Sequence, residues 1–489
     1  MAFALTRRRL LQGAAGAALG LGQLHGLAHA QMQSVTVAPP PDWRGLARLL
    51  SGELLEPDAP DFARIASPWN LRFASTVPAG IARCASPDDV AICLLWAQRN
   101  DMPLAIRSGG HSYAGFSTTD GLMIDVSPLN EVGALDEEGL MRLGGGARNA
   151  DVFTALRAGN HAITHGRCKG VGVAGLTLGG GIGFSQRLHG LTCDQLVETE
   201  IVIASGELLV CNATENADLF WACRGGGGGN FGVNVSLTFR TFPVGDYTVF
   251  KLTWREGIDD LLPAALELLP SLPDRLGCKL QVQAGSKTAL NLLGQLAGTQ
   301  AELSELLAPL YRMSHPSETA ISVLPYWLSQ EILVEEGTPE YSHERSRYIY
   351  RPLPAEAIAA ILDYLRRWPG THDSAEWKIF LAGGAVASVA PEATAFVHRK
   401  ALMLSVIDLA WTPEDHTAVV ADNEAWLDAF HAAMRPFTSD ESFQNFVDAA
   451  ETDYLRAYYG SNLDRLVEIK RRYDPGNLFR FPQSIPLTL

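Results

Sequence analysis

The spacing of apolar residues in the first half of the chain predicts short strands and helices joined by glycine turns. A helix is expected from Ser86 to Asn100, because serine can cap it, proline takes the first turn, and apolar residues recur at helical spacing. An apolar run at 103–106 predicts a short buried strand. Further strands are predicted at 122–126 and 141–143, and further helices at 43–55 and 151–158. This alternation indicates an α+β domain.

The pattern changes around Pro243, where the glycine motifs stop and longer amphipathic helices begin. Strand-like runs lie at 248–254, 278–284 and 375–382. Helices are predicted at 260–269, 301–312, 354–367 and 413–434. The Thr-Pro-Glu-Asp sequence at 412–415 is typical of a capped helix start and begins the last of them. We therefore predict an α+β fold of two parts. The first is a domain at 31–245, which the segment 441–489 rejoins, and the second is a domain at 246–440 with an antiparallel sheet backed by helices.

Residues 1–30 have the pattern of a twin-arginine signal peptide. Three arginines at 7–9 precede an apolar stretch rich in glycine and alanine, and the Ala-His-Ala sequence at 28–30 resembles a cleavage site. This pattern predicts export to the bacterial periplasm or beyond the cell. A membrane anchor is the alternative interpretation, but the apolar part is short. No later run of about 18 apolar residues follows, so no membrane association is expected once the signal is removed.

Charge and cysteine content limit the binding partners and metal sites that can be expected. The formal net charge is −15, which argues against a nucleic-acid partner because such proteins usually carry a basic face. Seven cysteines are an odd number, and Cys168 is the one expected to stay unpaired; whether the other six pair is left open. No Cys-x-x-Cys pair and no Cys/His spacing typical of metal ligands occurs, so no metal site is predicted.

The residues that indicate a binding site lie in three glycine clusters, at 107–112, 166–183 and 225–232. Residues 170–175 satisfy the Gly-x-Gly-x-x-Gly pattern, which in a Rossmann fold must open a helix. Four more glycines at 179–183 make a helix here unfavourable, and with it a nicotinamide site. We expect instead extended loops whose N–H groups approach a pyrophosphate, with Arg107 adding positive charge. Ordinary tight turns are the alternative.

One nucleophilic side chain lies within each of the first two clusters. These are His111 and Cys168, the two residue types that bond covalently to a flavin ring. A neutral imidazole nitrogen and a thiolate are both good nucleophiles toward an electron-poor ring. The alternatives are a hydrogen-bonded loop histidine and a buried, inert thiol.

These motifs together resemble the FAD-linked oxidases of the berberine-bridge-enzyme type, within the wider vanillyl-alcohol-oxidase-like fold. The resemblance runs from about residue 67 to 486 and is weakest at 246–440. The matching sequences are Arg-Ser-Gly-Gly-His-Ser-Tyr (107–113), Gly-Arg-Cys-x-x-Val-Gly-Val-x-Gly (166–175), Leu-Gly-Gly-Gly-Ile-Gly (178–183), the run from Leu219 to Val233, Tyr-Tyr-Gly-Ser-Asn-Leu (458–463), Asp-Pro-x-Asn-Leu-Phe-Arg (474–480) and Gln-Ser-Ile-Pro (483–486).

The resemblance implies a two-part FAD-binding domain of the PCMH type and a separate substrate domain. It also implies that His111 bonds the flavin 8α-methyl group and that Cys168 bonds C6 of the ring. The residues expected to contact FAD lie in the same motifs: Arg107, Ser108, Gly109, Gly110, Ser112, Val171, Gly172, Gly175, Thr177, Gly179, Gly180, Gly183 and Asn477.

Two further residues are candidates for the catalytic base. Tyr458 matches the tyrosine that the family uses beside the flavin, and since phenols titrate near about 10, the site is expected to lower its pKa. A core aromatic is the alternative. His189 takes a position where relatives often carry a second tyrosine; it is a candidate base or a partner of Tyr458, or else a surface histidine. No carboxylate precedes the glycines at 383–384, as sugar-oxidising relatives tend to have, which makes Lys378 a candidate cation of the site.

Val171 takes the position at which the family admits oxygen when the residue is small, so O2 is the expected electron acceptor and hydrogen peroxide the product. The leading hypothesis is an exported oxidase that transfers a hydride from an alcohol or hemiacetal carbon, preferably of a sugar or oligosaccharide, to FAD. One alternative is a tailoring oxidase or dehydrogenase of a polycyclic or phenolic metabolite. The other is a flavin-binding protein without catalysis.

Overall fold

The computed structural model describes residues 41–286 and 288–489, so the predicted signal peptide at 1–30 lies outside the described residues. The helices of the first part are α1 (Trp43–Leu49), α2 (Phe62–Ala66), α3 (Pro87–Arg99), α4 (Asn149–Arg157), α5 (Val173–Leu178), α6 (Gln186–His189) and α7 (Ala217–Ala222). Its strands are β1 (Glu53–Leu55), β2 (Gly80–Arg83), β3 (Leu104–Arg107), β4 (Leu122–Asp125), β5 (Leu140–Gly144), β6 (His161–Ala162), β7 (Leu196–Val202), β8 (Leu208–Asn212), β9 (Val233–Arg240) and β10 (Phe242–Pro243).

Two four-stranded sheets organise this part of the chain. The first has the order β1-β2-β4-β3 and is parallel except for the edge pair β1–β2, and the second has the antiparallel order β5-β9-β7-β8. Helix α3 lies between them, because its apolar face shares a buried cluster with residues of β4, β7 and β9. The predicted cap is confirmed: the Ser86 hydroxyl accepts the Asp89 N–H at 3.2 Å.

The second part of the chain is built on one antiparallel sheet, as predicted. Its strands are β11 (Asp246–Trp254), β12 (Leu276–Gln283), β13 (Leu290–Leu296), β14 (Glu318–Pro325), β15 (Tyr341–Ile349), β16 (Ala375–Leu381) and β17 (Met403–Trp411), in the order β14-β11-β13-β12-β16-β17-β15. The helices are α8 (Ile258–Leu268), α9 (Gln300–Leu306), α10 (Ala308–Met313), α11 (Tyr326–Leu333), α12 (Ala355–Arg366), α13 (Ala385–Ser388) and α14 (Thr417–Met434).

The two faces of this sheet differ in polarity. Alternate residues of β16, such as Trp377 and Ile379, join the apolar cluster formed with α8, α12 and α14. The residues between them, such as Lys378, point to the opposite face together with Lys279 of β12 and Asp408 of β17. One face therefore supplies stability, and the other carries polar groups.

The chain ends with α15 (Tyr454–Tyr459) and α16 (Leu463–Tyr473), which pack in one buried cluster with α7 of the first part. Lys470 anchors this return. Its fully buried ammonium donates to Asp474 Oδ2 at 2.7 Å and to the carbonyls of Asn230 and Phe479 at 2.8 and 2.6 Å. The C-terminal segment is thereby tied to the third glycine cluster.

Four local predictions were wrong. The helix predicted at 43–55 ends at Leu49, and strand β1 follows it. The helix predicted at 301–312 divides into α9 and α10 at Pro309, since proline is accommodated only in the first turn of a helix. The glycine-rich stretch at 170–183 does contain a helix, the six-residue α5. Helix α14 begins at Thr417 because Asp415 instead accepts the N–H groups of Thr412 and His372.

All seven cysteines lie within the described residues and carry free thiols. In the same residues, no helix is long and apolar enough to cross a membrane. Nor do three or more histidine, cysteine or carboxylate side chains of this part of the chain group as metal ligands would.

Lys470→Met is expected to lower the free energy of unfolding by about 3–5 kcal/mol, because it leaves the Asp474 carboxylate buried without its cation. Urea denaturation measures the change. Lys251→Met, at an exposed position of β11, is the matched control and should unfold like the wild type. A Lys470→Met protein as stable as this control would contradict the anchoring role.

Candidate active site

A cavity of about 630 Å³ lies where the three glycine clusters meet. The first two clusters touch through Gly109 and Gly172: a Cβ added to Gly109 would lie 2.2 Å from the Gly172 nitrogen, and one on Gly172 would lie 2.4 Å from the Gly109 nitrogen. Any larger residue at either position would force the loops apart. This contact therefore requires glycine on both sides.

The cavity wall is open along the other glycines. A Cβ on Gly175 would meet nothing within 4 Å, so this backbone faces free space. Gly228 and Gly229 of the third cluster also line the cavity. A Cβ on either would meet nothing closer than 3.8 Å, and Gly229 has a φ of +73° that favours glycine. Backbone exposed in this way can approach a bulky anionic group closely.

His111 is held as a neutral side chain with one free nitrogen. Its ring stacks on Trp69, with the ring centroids 3.9 Å apart, and its Nε2 is buried without a hydrogen-bond partner. Burial lowers the pKa of His111 to about 4. At neutral pH the imidazole therefore carries an unprotonated nitrogen, which is the nucleophilic form.

Cys168 lines the same cavity, but it is not the thiolate that the sequence predicts. Burial raises the pKa of Cys168 to about 12, although the neighbouring Arg167 guanidinium opposes the shift. The side chain is therefore a thiol at neutral pH. Its Sγ lies 3.6 Å from Oε2 of Glu335, a carboxylate that further disfavours ionisation of the sulfur.

The structure brings His111 and Cys168 to one place. A Cβ on Gly337 would lie 3.3 Å from His111 Nε2 and 3.1 Å from Cys168 Cβ, and Gly337 has a φ of +72°. Both candidate attachment residues therefore border the same small volume. A single planar ring system can contact both.

The other predicted FAD contacts divide into two sets. Seven line the cavity: Ser108, Gly109, Gly110, Ser112, Val171, Gly172 and Gly175. Six lie outside its wall: Arg107, Thr177, Gly179, Gly180, Gly183 and Asn477.

Arg107 shows why a predicted contact fails. Its buried guanidinium donates to the carbonyls of Ile65, Ala66, Ser67 and Ser117. The positive charge is therefore hydrogen-bonded to the backbone behind the glycine loop. Gly183 lies against the backbone, since a Cβ there would be 2.1 Å from the His165 carbonyl oxygen. The Thr177 hydroxyl donates within α5, to the Val173 carbonyl at 2.7 Å.

Tyr458 lines the cavity, but the structure contradicts the expectation that its pKa is lowered. Burial raises the pKa of Tyr458 above its ordinary value, and the hydrogen bond from the Asp448 N–H, at 3.1 Å, only partly offsets this. Its hydroxyl donates to Gln483 Oε1 at 3.4 Å. The phenol is therefore protonated and engaged with protein groups.

His189 and Lys378 were also misplaced by the prediction. His189 lies outside the cavity wall and stacks on Phe242 with centroids 3.6 Å apart, and burial lowers its pKa to about 4. The Lys378 ammonium contacts the carboxylates of Glu344, Asp408 and Glu376 at 2.9, 2.6 and 3.5 Å. Its charge is neutralised within the sheet face and is not available as a free cation.

No sequence pattern singles out the segment from Glu335 to Gly337. It follows α11 without a recognisable motif, yet it pairs with Cys168 as an isolated parallel bridge. The other oxygen of Glu335, Oε1, contacts Arg167 at 3.2 Å and Lys279 of β12 at 3.4 Å. The polar face of the second sheet thus contacts the loop at 166–172, the attachment loop, through this carboxylate.

His165 lies in the irregular segment just before Cys168. Its Nδ1–H donates to the Gly166 carbonyl at 2.9 Å, so Nε2 accepts from the Tyr326 hydroxyl, also at 2.9 Å. Burial lowers the pKa of His165 to about 4. The imidazole is neutral in the folded protein, and both of its nitrogens are satisfied.

Comparison with known proteins agrees with this site. The profile of the FAD binding domain family matches residues 78–212, and the profile described as berberine and berberine like matches residues 442–486. The chain is 32% identical to YgaK of Bacillus subtilis, described as an uncharacterized FAD-linked oxidoreductase, over 89% of this chain and 97% of the relative. It is 30% identical to glucooligosaccharide oxidase of Sarocladium strictum over 87% of this chain and 91% of the relative.

A solved structure shares the fold. Glucooligosaccharide oxidase from Acremonium strictum, described with a 6-S-cysteinyl, 8α-N1-histidyl FAD, matches with a TM-score of 0.81 and 27% identity, covering 89% of this chain and 97% of that one. The chain belongs to the berberine-bridge-enzyme-like family of FAD-linked oxidoreductases, whose relatives include oxidases of sugars.

The cavity fits an FAD. The unpartnered Nε2 of His111 and the open backbone at Gly175 are features that a bound flavin nucleotide would complete. The glycine loops would hold the pyrophosphate, and His111 and Cys168 would face the ring.

Protonation of His165 is expected to destabilise the protein. Since the folded pKa lies below the unfolded value, the unfolded chain binds more protons, and stability should fall as the pH drops from about 6.5 toward 4. In His165→Gln this fall should be shallower by up to about 1.4 kcal/mol per pH unit. Urea denaturation at several pH values measures it.

His315→Gln is the control, because His315 is exposed and should leave the wild-type pH dependence unchanged. Equal pH profiles for wild type and His165→Gln would contradict the account.

Proposed function

We propose that this protein is an exported oxidase with FAD attached at both His111 and Cys168. The observation that carries the proposal is the convergence of the two side chains on one point beside Gly337. A second support is the position of His111 in the cavity wall, where its ring stacks on Trp69 and burial keeps it neutral. The pattern of residues 1–30 supports export of the folded, flavin-loaded protein.

The bound flavin accepts a hydride from a carbon that carries a hydroxyl group and passes the electrons to O2. The protein holds the ring at the cavity and leaves Val171 as a medium-sized side chain in the wall, which supports access of O2 and release of hydrogen peroxide. The neutral phenol of Tyr458 and its partner Gln483 border the same cavity as hydrogen-bonding groups.

A sugar or oligosaccharide with a free hemiacetal is the proposed substrate. Sugars are bound through many hydrogen bonds, and the polar sheet face with Lys279, Gln281 and Glu376 begins at the attachment loop. The relatives named as oligosaccharide oxidases support the same class. The product of hemiacetal oxidation is a lactone.

A polycyclic or phenolic alcohol is the second candidate substrate. Aromatic side chains favour it, because Tyr113, Phe443 and Phe446 line the cavity, and the rings of Tyr113 and Phe446 meet edge to face at 5.4 Å.

A substrate panel with peroxide detection tests the proposal. Purified protein should oxidise oligosaccharides with a free reducing end and release one hydrogen peroxide per sugar, while the matched alditols, which lack the hemiacetal, should be inert. Phenolic and polycyclic alcohols are assayed in parallel. Turnover of phenolic alcohols alone would support the second candidate, and flavin that is photoreducible but turns over no alcohol would contradict both.

A further inference from the structure

Glu335 is fixed against Cys168 by backbone hydrogen bonds. The Glu335 N–H donates to the Arg167 carbonyl at 2.8 Å, and the Lys169 N–H donates to the Glu335 carbonyl at 2.9 Å. The two bonds flank the parallel bridge between Cys168 and Glu335. The side chain of Glu335 is thus placed beside the sulfur by the backbone and not by a chance rotamer.

The two carboxylate oxygens of Glu335 have different partners. Oε1 is shared by the cations of Arg167 and Lys279, at 3.2 and 3.4 Å, whereas Oε2 faces the thiol of Cys168 at 3.6 Å. The side chain is 53% exposed, so solvent reaches the carboxylate. One oxygen is therefore free to receive a proton and release it to water.

The charged groups around the sulfur explain why a proton acceptor is needed. Arg167, Glu335, Glu344 and Tyr113 face Cys168, and burial raises its pKa to about 12. The site therefore holds a thiol, whose proton must leave as the sulfur reacts. Partial burial opposes ionisation of Glu335, but Arg167 and two lysines lower its pKa to about 2. The carboxylate is therefore ionised at neutral pH and can accept a proton.

We propose that Glu335 accepts the thiol proton of Cys168 when the sulfur bonds to C6 of the flavin ring. The inference rests on the proposed function, since it requires attachment of FAD at Cys168. The geometry alone suits this role: a carboxylate oxygen faces the sulfur, and its second oxygen is held by two cations.

The S–H bond breaks and the S–C6 bond forms; the thiol proton passes to Glu335, and the hydrogen on C6 leaves as a second proton. The electron pair remains on the flavin, and O2 removes it to give hydrogen peroxide. A sulfur that has begun to bond carbon is far more acidic than a free thiol, so a carboxylate suffices as acceptor.

Glu335→Gln and the neighbouring Glu336→Gln form a matched pair for the test. Glu336 is exposed and contacts Lys169 rather than the sulfur. Both proteins are expressed as full chains, digested and mapped by mass spectrometry. In the wild type and in Glu336→Gln, the His111 and Cys168 peptides should be recovered joined through one flavin. In Glu335→Gln the joined species should fall about tenfold or more, while the His111 peptide keeps its flavin.

Two further measurements separate proton transfer from a structural role. Incubation of Glu335→Gln in air should form the joined species faster at pH 9 than at pH 7, because hydroxide replaces the missing acceptor, and Glu335→Asp should restore much of it. Retention of flavin on His111 shows that the variant folds. If Glu335→Gln does not fold, the Glu335→Asp protein carries the test: its joined species should form more slowly than in the wild type at pH 7, and an unchanged rate would overturn the inference.

Wild-type levels of the joined species in Glu335→Gln would overturn this inference and leave the proposed function intact. A loss that neither alkaline pH nor aspartate repairs would also overturn it. A wild-type protein with no flavin on Cys168 would overturn both.

Discussion

The site depends on the contact between the backbones of Gly109 and Gly172. These residues belong to loops more than fifty positions apart in the chain, and each nitrogen occupies the space that a Cβ of the other would need. Through this contact the loop with His111 and the loop with Cys168 become two walls of one cavity. Attachment of one flavin ring at both nucleophiles, as we propose, requires the two loops to lie close together, and two glycines allow a closer approach than residues with side chains.

The second sheet completes the arrangement with charge. Its polar face carries Lys279 and Lys378, and the segment from Glu335 to Gly337 leads from α11 to the sulfur of Cys168. Each lysine of this face contacts at least one carboxylate. Removing one partner of a buried ion pair strongly destabilises the folded protein.

The candidate attachment residues could be predicted from the glycine motifs, whereas the carboxylate beside Cys168 could not. His111 and Cys168 lie in local sequence patterns, and the resemblance to a family located them. Glu335 belongs to no pattern, because it reaches Cys168 only through the tertiary fold. Arg107 and His189 have suitable chemistry in the sequence, but the backbone carbonyls behind the loop and the ring of Phe242 take up these side chains. The helix at Val173–Leu178 forms despite its glycine because Val173 and Leu178 join the apolar core, which outweighs a weak local propensity.

Peptide mapping of Gly109→Ala tests whether the contact between Gly109 and Gly172 brings His111 and Cys168 to one flavin. A Cβ at this position would lie 2.2 Å from the Gly172 nitrogen and must separate the loops, whereas Gly245→Ala, where a Cβ meets nothing within 4 Å, serves as the control. We expect the wild type and Gly245→Ala to yield His111 and Cys168 peptides joined through one flavin, and this species to be largely lost in Gly109→Ala. Its recovery from Gly109→Ala at the wild-type level would contradict the account.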